Sequence, residues 1–143
     1  MVIGLVVIQF IRPQRNSSSV QTTSINNVMP VPEKVQALLS TACFDCHSNN
    51  TRYPWYMNLQ PAAWFMAHHV EEGKAELNFD EFGAYSKRRQ GSKLKSIANS
   101  LKDGTMPKES YTWMHKDARL SGEDKRIIID WALQQKDSLE TRN

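Results

Sequence analysis

Cysteine is scarce in this chain: there are two among 143 residues, Cys43 and Cys46, both inside one five-residue stretch. That excludes a multi-disulfide scaffold and a four-cysteine zinc site, so the chemistry of the thiols is local. Excess charge of one sign is also lacking. Eighteen Lys and Arg against 15 Asp and Glu leave a formal charge of +3, mixed along most of the chain. This is too little for a nucleic-acid footprint, so no nucleic-acid partner is expected. No internal repeat is evident, and no stretch combines two-residue alternation with hairpin turn chemistry. With 40% hydrophobic residues, the length suits one compact domain plus a tail.

Long apolar runs are missing too. Residues 1–11 (MVIGLVVIQFI) are apolar but fall short of the ~20 residues that span a bilayer, and no basic residues precede them. We read them as the outer end of a signal anchor whose start lies upstream, which makes the membrane a partner through the N terminus. A core-packed strand is the alternative, given the Val and Ile content. Arg12 and Arg15 oppose the positive-inside rule for an exported domain, but two charges are a weak signal. Residues 12–31, rich in Ser, Thr and Asn from Asn16 on, read as a linker.

From residue 32 to 143 the apolar periodicity is helical, so the fold class is all-α. Pro32 and Glu33 open a first helix whose stripe (Val35, Leu38, Leu39, Ala42) continues to Cys46. A second helix is expected from Pro61 to about Leu77, and a third carries Leu94, Ile97, Ala98 and Leu101 and stops at Gly104. Ser121 followed by Asp124 resembles a capping box and starts a fourth, with Ile127, Ile128 and Trp131 on its apolar stripe. Burying the first and fourth stripes in one core suggests that the terminal helices cross.

The decisive motif is Cys43-Phe-Asp-Cys46-His47. Two thiols about one helical turn apart can add to the two vinyl groups of one haem, while the adjacent imidazole turns to the iron. A bare CxxC would also suit a thioredoxin-like pair or half a zinc site, but neither the βαβ pattern nor a second ligand pair is present. One haem c, covalently held by Cys43 and Cys46 with His47 as iron ligand, is therefore expected. Such attachment takes place outside the bacterial cytoplasm, so the expected location is the periplasmic side of the inner membrane.

The chain resembles the bacterial haem-binding-domain family of small monohaem c-type cytochromes, over about residues 32–135. The resemblance rests on Cys43-Phe-Asp-Cys-His-Ser48, Thr51-Arg-Tyr-Pro-Trp-Tyr56, Gly104-Thr-Met-Pro107 and Leu120 through Trp131. It implies a membrane-tethered or exported monohaem domain with no defined physiological partner. The expected function is electron transfer between redox partner proteins, not enzymatic catalysis. The alternative is a haem sensor or small peroxidase with an open or displaceable distal ligand.

Candidates for the second axial ligand are Met57, Met66, His68, His69, Met106, Met114 and His115. Met106 lies just past the third helix, between a Gly that permits a sharp turn and a Pro that stiffens the loop, and the resemblance favours the same residue. His68 and His69 are the main rivals. The other ring nitrogen of His47 needs an acceptor, expected to be a carbonyl of the following loop. Tyr53, Trp55, Tyr56 and Trp64 suit either a haem wall or ordinary core packing. Arg52 reads as a solvated arginine, with a haem propionate as the alternative partner. Lys87, Arg88, Arg89, Lys93 and Lys95 read as a solvated helix face. Steering of an acidic partner would instead show as an encounter rate falling with ionic strength.

Overall fold

The structure is a computed structural model that describes residues 2–18 and 20–141, so Met1 of the apolar run, Ser19 of the expected linker and the last two residues lie outside it. Among the described residues there are helices and no strands; one isolated antiparallel bridge joins Ser17 and Asn50. The helices are α1 (Val2–Ile8), α2 (Ile25–Val28), α3 (Glu33–Ala42), α4 (Phe44–His47), α5 (Ala62–Glu76), α6 (Lys87–Lys102), α7 (Glu109–Met114) and α8 (Gly122–Thr141). Short 3-10 turns occupy Trp55–Asn58, Phe79–Ala84 and Lys116–Ala118.

The core is built where helical stripes converge. Val35 and Leu39 of α3, Leu94 and Leu101 of α6 and Ile128, Trp131 and Ala132 of α8 bury together with Phe79 and Phe82, while Leu38, Ile97 and Ile127 pack against them. The first and fourth predicted helices thus meet, and α6 packs along α8. The start of α8 is a reciprocal capping box: the Asp124 N–H donates to Ser121 Oγ at 3.1 Å, and the Ser121 N–H donates to the Asp124 carboxylate at 3.2 Å.

Two expectations change. The first helix does not run unbroken to Cys46: Cys43 leaves helical geometry (φ −125°, ψ −40°), and α4 is a separate single turn. Residues 12–31 are packed chain along much of their length. Ile25 is fully buried, the Thr23 carbonyl accepts from the Gly83 N–H at 2.7 Å, and Asn16 bonds Ser48 and Thr51. Polar composition suggested a tether, but the Asn16 amide bonds the loop after α4 and the Thr23 hydroxyl donates to the Asp80 carbonyl at 3.2 Å. Among the described residues, no helix is long and apolar enough to cross a membrane.

Candidate functional site

Cys43, Cys46 and His47 line one wall of a cavity of about 400 Å³, and Cys43 and His47 also line an adjoining cavity of about 210 Å³. Ala42, Glu76, Met106 and Pro107 border both. Their combined size falls in the range of cofactor sites. The walls are mainly apolar, closed by Met66, Tyr111, Phe79, Ile97 and Leu101.

His47 is oriented by its backbone surroundings. Its Nδ1–H donates to the carbonyls of Gly73 at 2.8 Å and Leu77 at 3.0 Å, both at the end of α5. Burial pushes its pKa below the ordinary value, and those carbonyls oppose the shift only in part. The ring is therefore neutral near pH 7, with its proton on Nδ1 and the Nε2 lone pair left for a metal. The acceptors lie at the C-terminal end of α5 and not in the loop after the motif: the Leu77 carbonyl is at the helix cap, and the Gly73 carbonyl accepts His47 in addition to the Leu77 N–H at 2.9 Å. This closeness requires glycine. A Cβ on Gly73 would stand 2.5 Å from the Cys46 carbonyl oxygen.

Both thiols are unbridged and half-buried. Burial pushes Cys43 up to about 12, with the neighbouring Cys46 adding to the shift, and pushes Cys46 up to about 11, helped by Asp45 and opposed by Lys108. Thiols held protonated in this way are poor redox nucleophiles and poor zinc ligands.

The middle of the motif carries a further group. Asp45 is buried and accepts from the Arg52 backbone N–H at 3.1 Å, from Arg52 Nε at 3.1 and 3.2 Å, and from the Tyr111 hydroxyl at 2.6 Å. Burial raises the Tyr111 pKa strongly, and the Asp45 contact reinforces it. Tyr111 stacks on His115 with ring centroids 4.1 Å apart, and His115 Nε2 lies 2.9 Å from the Tyr56 hydroxyl. The carboxylate in α4 thereby ties α7, and the loop carrying Met106, to the cysteine-bearing turn. Sequence reasoning passed over Asp45 and Tyr111, which are 66 positions apart. Gly73 carried a usable signal as an isolated glycine inside a helical pattern.

Among the axial candidates, Met66, His69 and Met106 border the cavities beside the motif, and of these Met106 alone borders both. Gly104, at φ +70°, reverses the chain after α6, and the Thr105 N–H donates to the Ser100 carbonyl at 3.0 Å. His68 is exposed and pairs with Glu72 at 3.3 Å. His69 Nδ1 bonds the Phe65 carbonyl at 2.9 Å. Met57 is buried against a separate small cavity, Met114 is exposed, and His115 is held by Tyr56 and Tyr111.

Tyr53, Trp55, Tyr56 and Trp64 line neither cavity. Trp55 is largely exposed, the Tyr53 hydroxyl accepts from the Asn16 N–H, and Trp64 Nε1–H donates to the Ile11 carbonyl. None of the four is fully buried. Arg52 is committed to Asp45, so the cations on the cavity walls are Lys108 and Lys93, the latter 3.4 Å from Glu76.

Comparison with known proteins matches one family, described as a haem-binding domain, over residues 3–134. No curated protein and no solved structure matches the chain.

Proposed function

The chain belongs to the haem-binding domain family, which makes it a haem protein, and from that premise we propose that it is a monohaem c-type cytochrome that transfers electrons. The observation carrying this reading is the His47 ring, with Nδ1 fixed by two carbonyls and a neutral Nε2, beside two protonated thiols on one cavity wall. A haem bound there supplies a one-electron iron couple. Each Cys Sγ–H would add across one vinyl group, leaving two thioethers and no charge to bury. His47 and Met106 would hold the iron. The apolar walls would exclude water, and Lys108 and Lys93 suit propionate charges.

The reading places the domain outside the cytoplasm, held at the inner membrane by its N-terminal segment, with redox proteins as partners. The fixed His47 and the tethered Met106 loop favour small rearrangement between oxidation states, which suits a carrier better than a sensor or peroxidase. Expression with the haem-attachment machinery tests it: the denatured chain should retain the mass of one haem. A chain without covalent haem under those conditions contradicts the proposal. Reduced protein that binds carbon monoxide at once and completely would favour the open-site alternative.

Met106→Ala should abolish the weak long-wavelength methionine-to-iron band of the oxidised protein and admit carbon monoxide on reduction. Alanine at His68 or His69 should do neither. Absorption spectra of the three variants decide this, and the reverse pattern would assign a histidine and a lower potential.

A further inference from the structure

The apolar N-terminal segment is bonded to the haem domain at a defined place. Gln9 and Gln60 exchange hydrogen bonds: the Gln60 N–H donates to Gln9 Oε1 at 2.9 Å, and Gln9 Nε2 donates to the Gln60 carbonyl at 3.3 Å. The Ile11 carbonyl accepts from Gln60 Nε2 at 2.9 Å and from Trp64 Nε1 at 3.0 Å. Four bonds therefore fix the end of α1 against the start of α5, where a flexible tether would make none.

That docking assembles an apolar surface from two distant parts of the sequence. Ile3, Leu5, Val6, Val7, Phe10 and Ile11 are exposed on and after α1, and Leu59, Trp64 and Phe65 are exposed beside the residues that bind it. Neither α1 nor α5 has a charged residue before Glu71. Arg12 and Arg15 are exposed next to this surface, and Arg15 bonds the Asn58 side chain at 2.6 Å. Soluble monomers rarely expose apolar patches of this extent, and an apolar face with tryptophan and flanking arginines matches the interfacial layer of an anionic bilayer.

We propose that the haem domain itself rests on the membrane, with Leu59, Trp64 and Phe65 continuing the lipid-facing surface of α1 and Arg12 and Arg15 meeting anionic headgroups. This rests on the reading of the N-terminal segment as a membrane anchor and adds a fixed orientation to it. Phe65 packs on His69 with ring centroids 4.3 Å apart, and His69 lines the larger cavity. The contact therefore holds one rim of the haem cavity at the headgroup layer, where a membrane-embedded redox partner could reach it and a partner free in solution would meet only the opposite rim.

The test uses the full haem-loaded chain on vesicles of phosphatidylcholine and phosphatidylglycerol, with photoreactive p-benzoylphenylalanine placed at Leu59, at Phe65 or, as a control, at exposed Lys95. Flotation reports membrane binding, and the mass of the irradiated chain reports whether phospholipid is crosslinked. Flotation with phospholipid adducts at 59 and 65 and none at 95 is expected. Gln9→Ala should leave flotation intact and lower adduct formation at both positions, since the anchor stays while the docking loosens. Flotation with no adduct at 59 or 65 overturns the docked orientation and leaves the anchor standing. A chain that does not float overturns both. Adducts unchanged by Gln9→Ala overturn the docking as their cause.

Discussion

Replacing Gly73 with alanine is expected to cut the fraction of chain carrying covalent haem by about tenfold or more. The new Cβ would lie 2.5 Å from the Cys46 carbonyl oxygen and 3.1 Å from its carbon, both backbone atoms of the cysteine-bearing turn. A backbone obstacle cannot move aside as a flexible side chain can, so α5 must withdraw from α4. Overpacking of this kind costs roughly 1–3 kcal/mol, and ~1.4 kcal/mol already corresponds to a factor of ten. The withdrawal acts on the site directly, because the Gly73 and Leu77 carbonyls at 2.8 and 3.0 Å set the orientation of His47. Gly91→Ala in α6 is the control. Its Cβ would meet only Lys136 Cγ at 3.9 Å, and alanine gains helix propensity there. Mass spectrometry of denatured protein and the spectrum of the loaded fraction measure the outcome. Full loading with unchanged ligation in Gly73→Ala would show that the close approach does not matter.

Trp131→Ala is expected to remove about 3–5 kcal/mol of stability, the usual cost of emptying a large aromatic site. Trp131 is buried in α8 within the cluster formed by Val35, Leu39, Leu94 and Ile128, so its loss opens a cavity where three helices meet. Its Nε1–H also donates to the Pro30 carbonyl at 3.0 Å. Pro30 is exposed, so water can take over that acceptor, and the main loss is packing. Against a total stability of ~5–15 kcal/mol, a melting temperature lower by roughly 10–20 °C follows. Thermal unfolding followed by helical circular dichroism checks it. A variant that melts within a few degrees of the parent would mean that the core repacks around the missing ring.

The sequence by itself determined what depends on local order. Helical periodicity marked the stripes of α3, α6 and α8, and Ser121 and Asp124 marked the start of α8, because a stripe and a cap are each set by residues one turn apart. The spacing of Cys43, Cys46 and His47 is local in the same sense, and so is the turn at Gly104. What the tertiary structure decided were partners distant along the chain. His47 takes its acceptors from α5, 26 and 30 positions away, and Asp45 takes its closest partner, Tyr111, from 66 positions away. Polar composition made residues 12–31 look like a linker, and only packing showed Ile25 in the core and Asn16 bonded to the loop after α4. The aromatic residues near position 55 suggested a haem wall or core, yet they line neither of the two cavities beside the motif. Residue type measures the gain from burial, whereas the side on which a short 3-10 turn presents its residues is set by what packs against it.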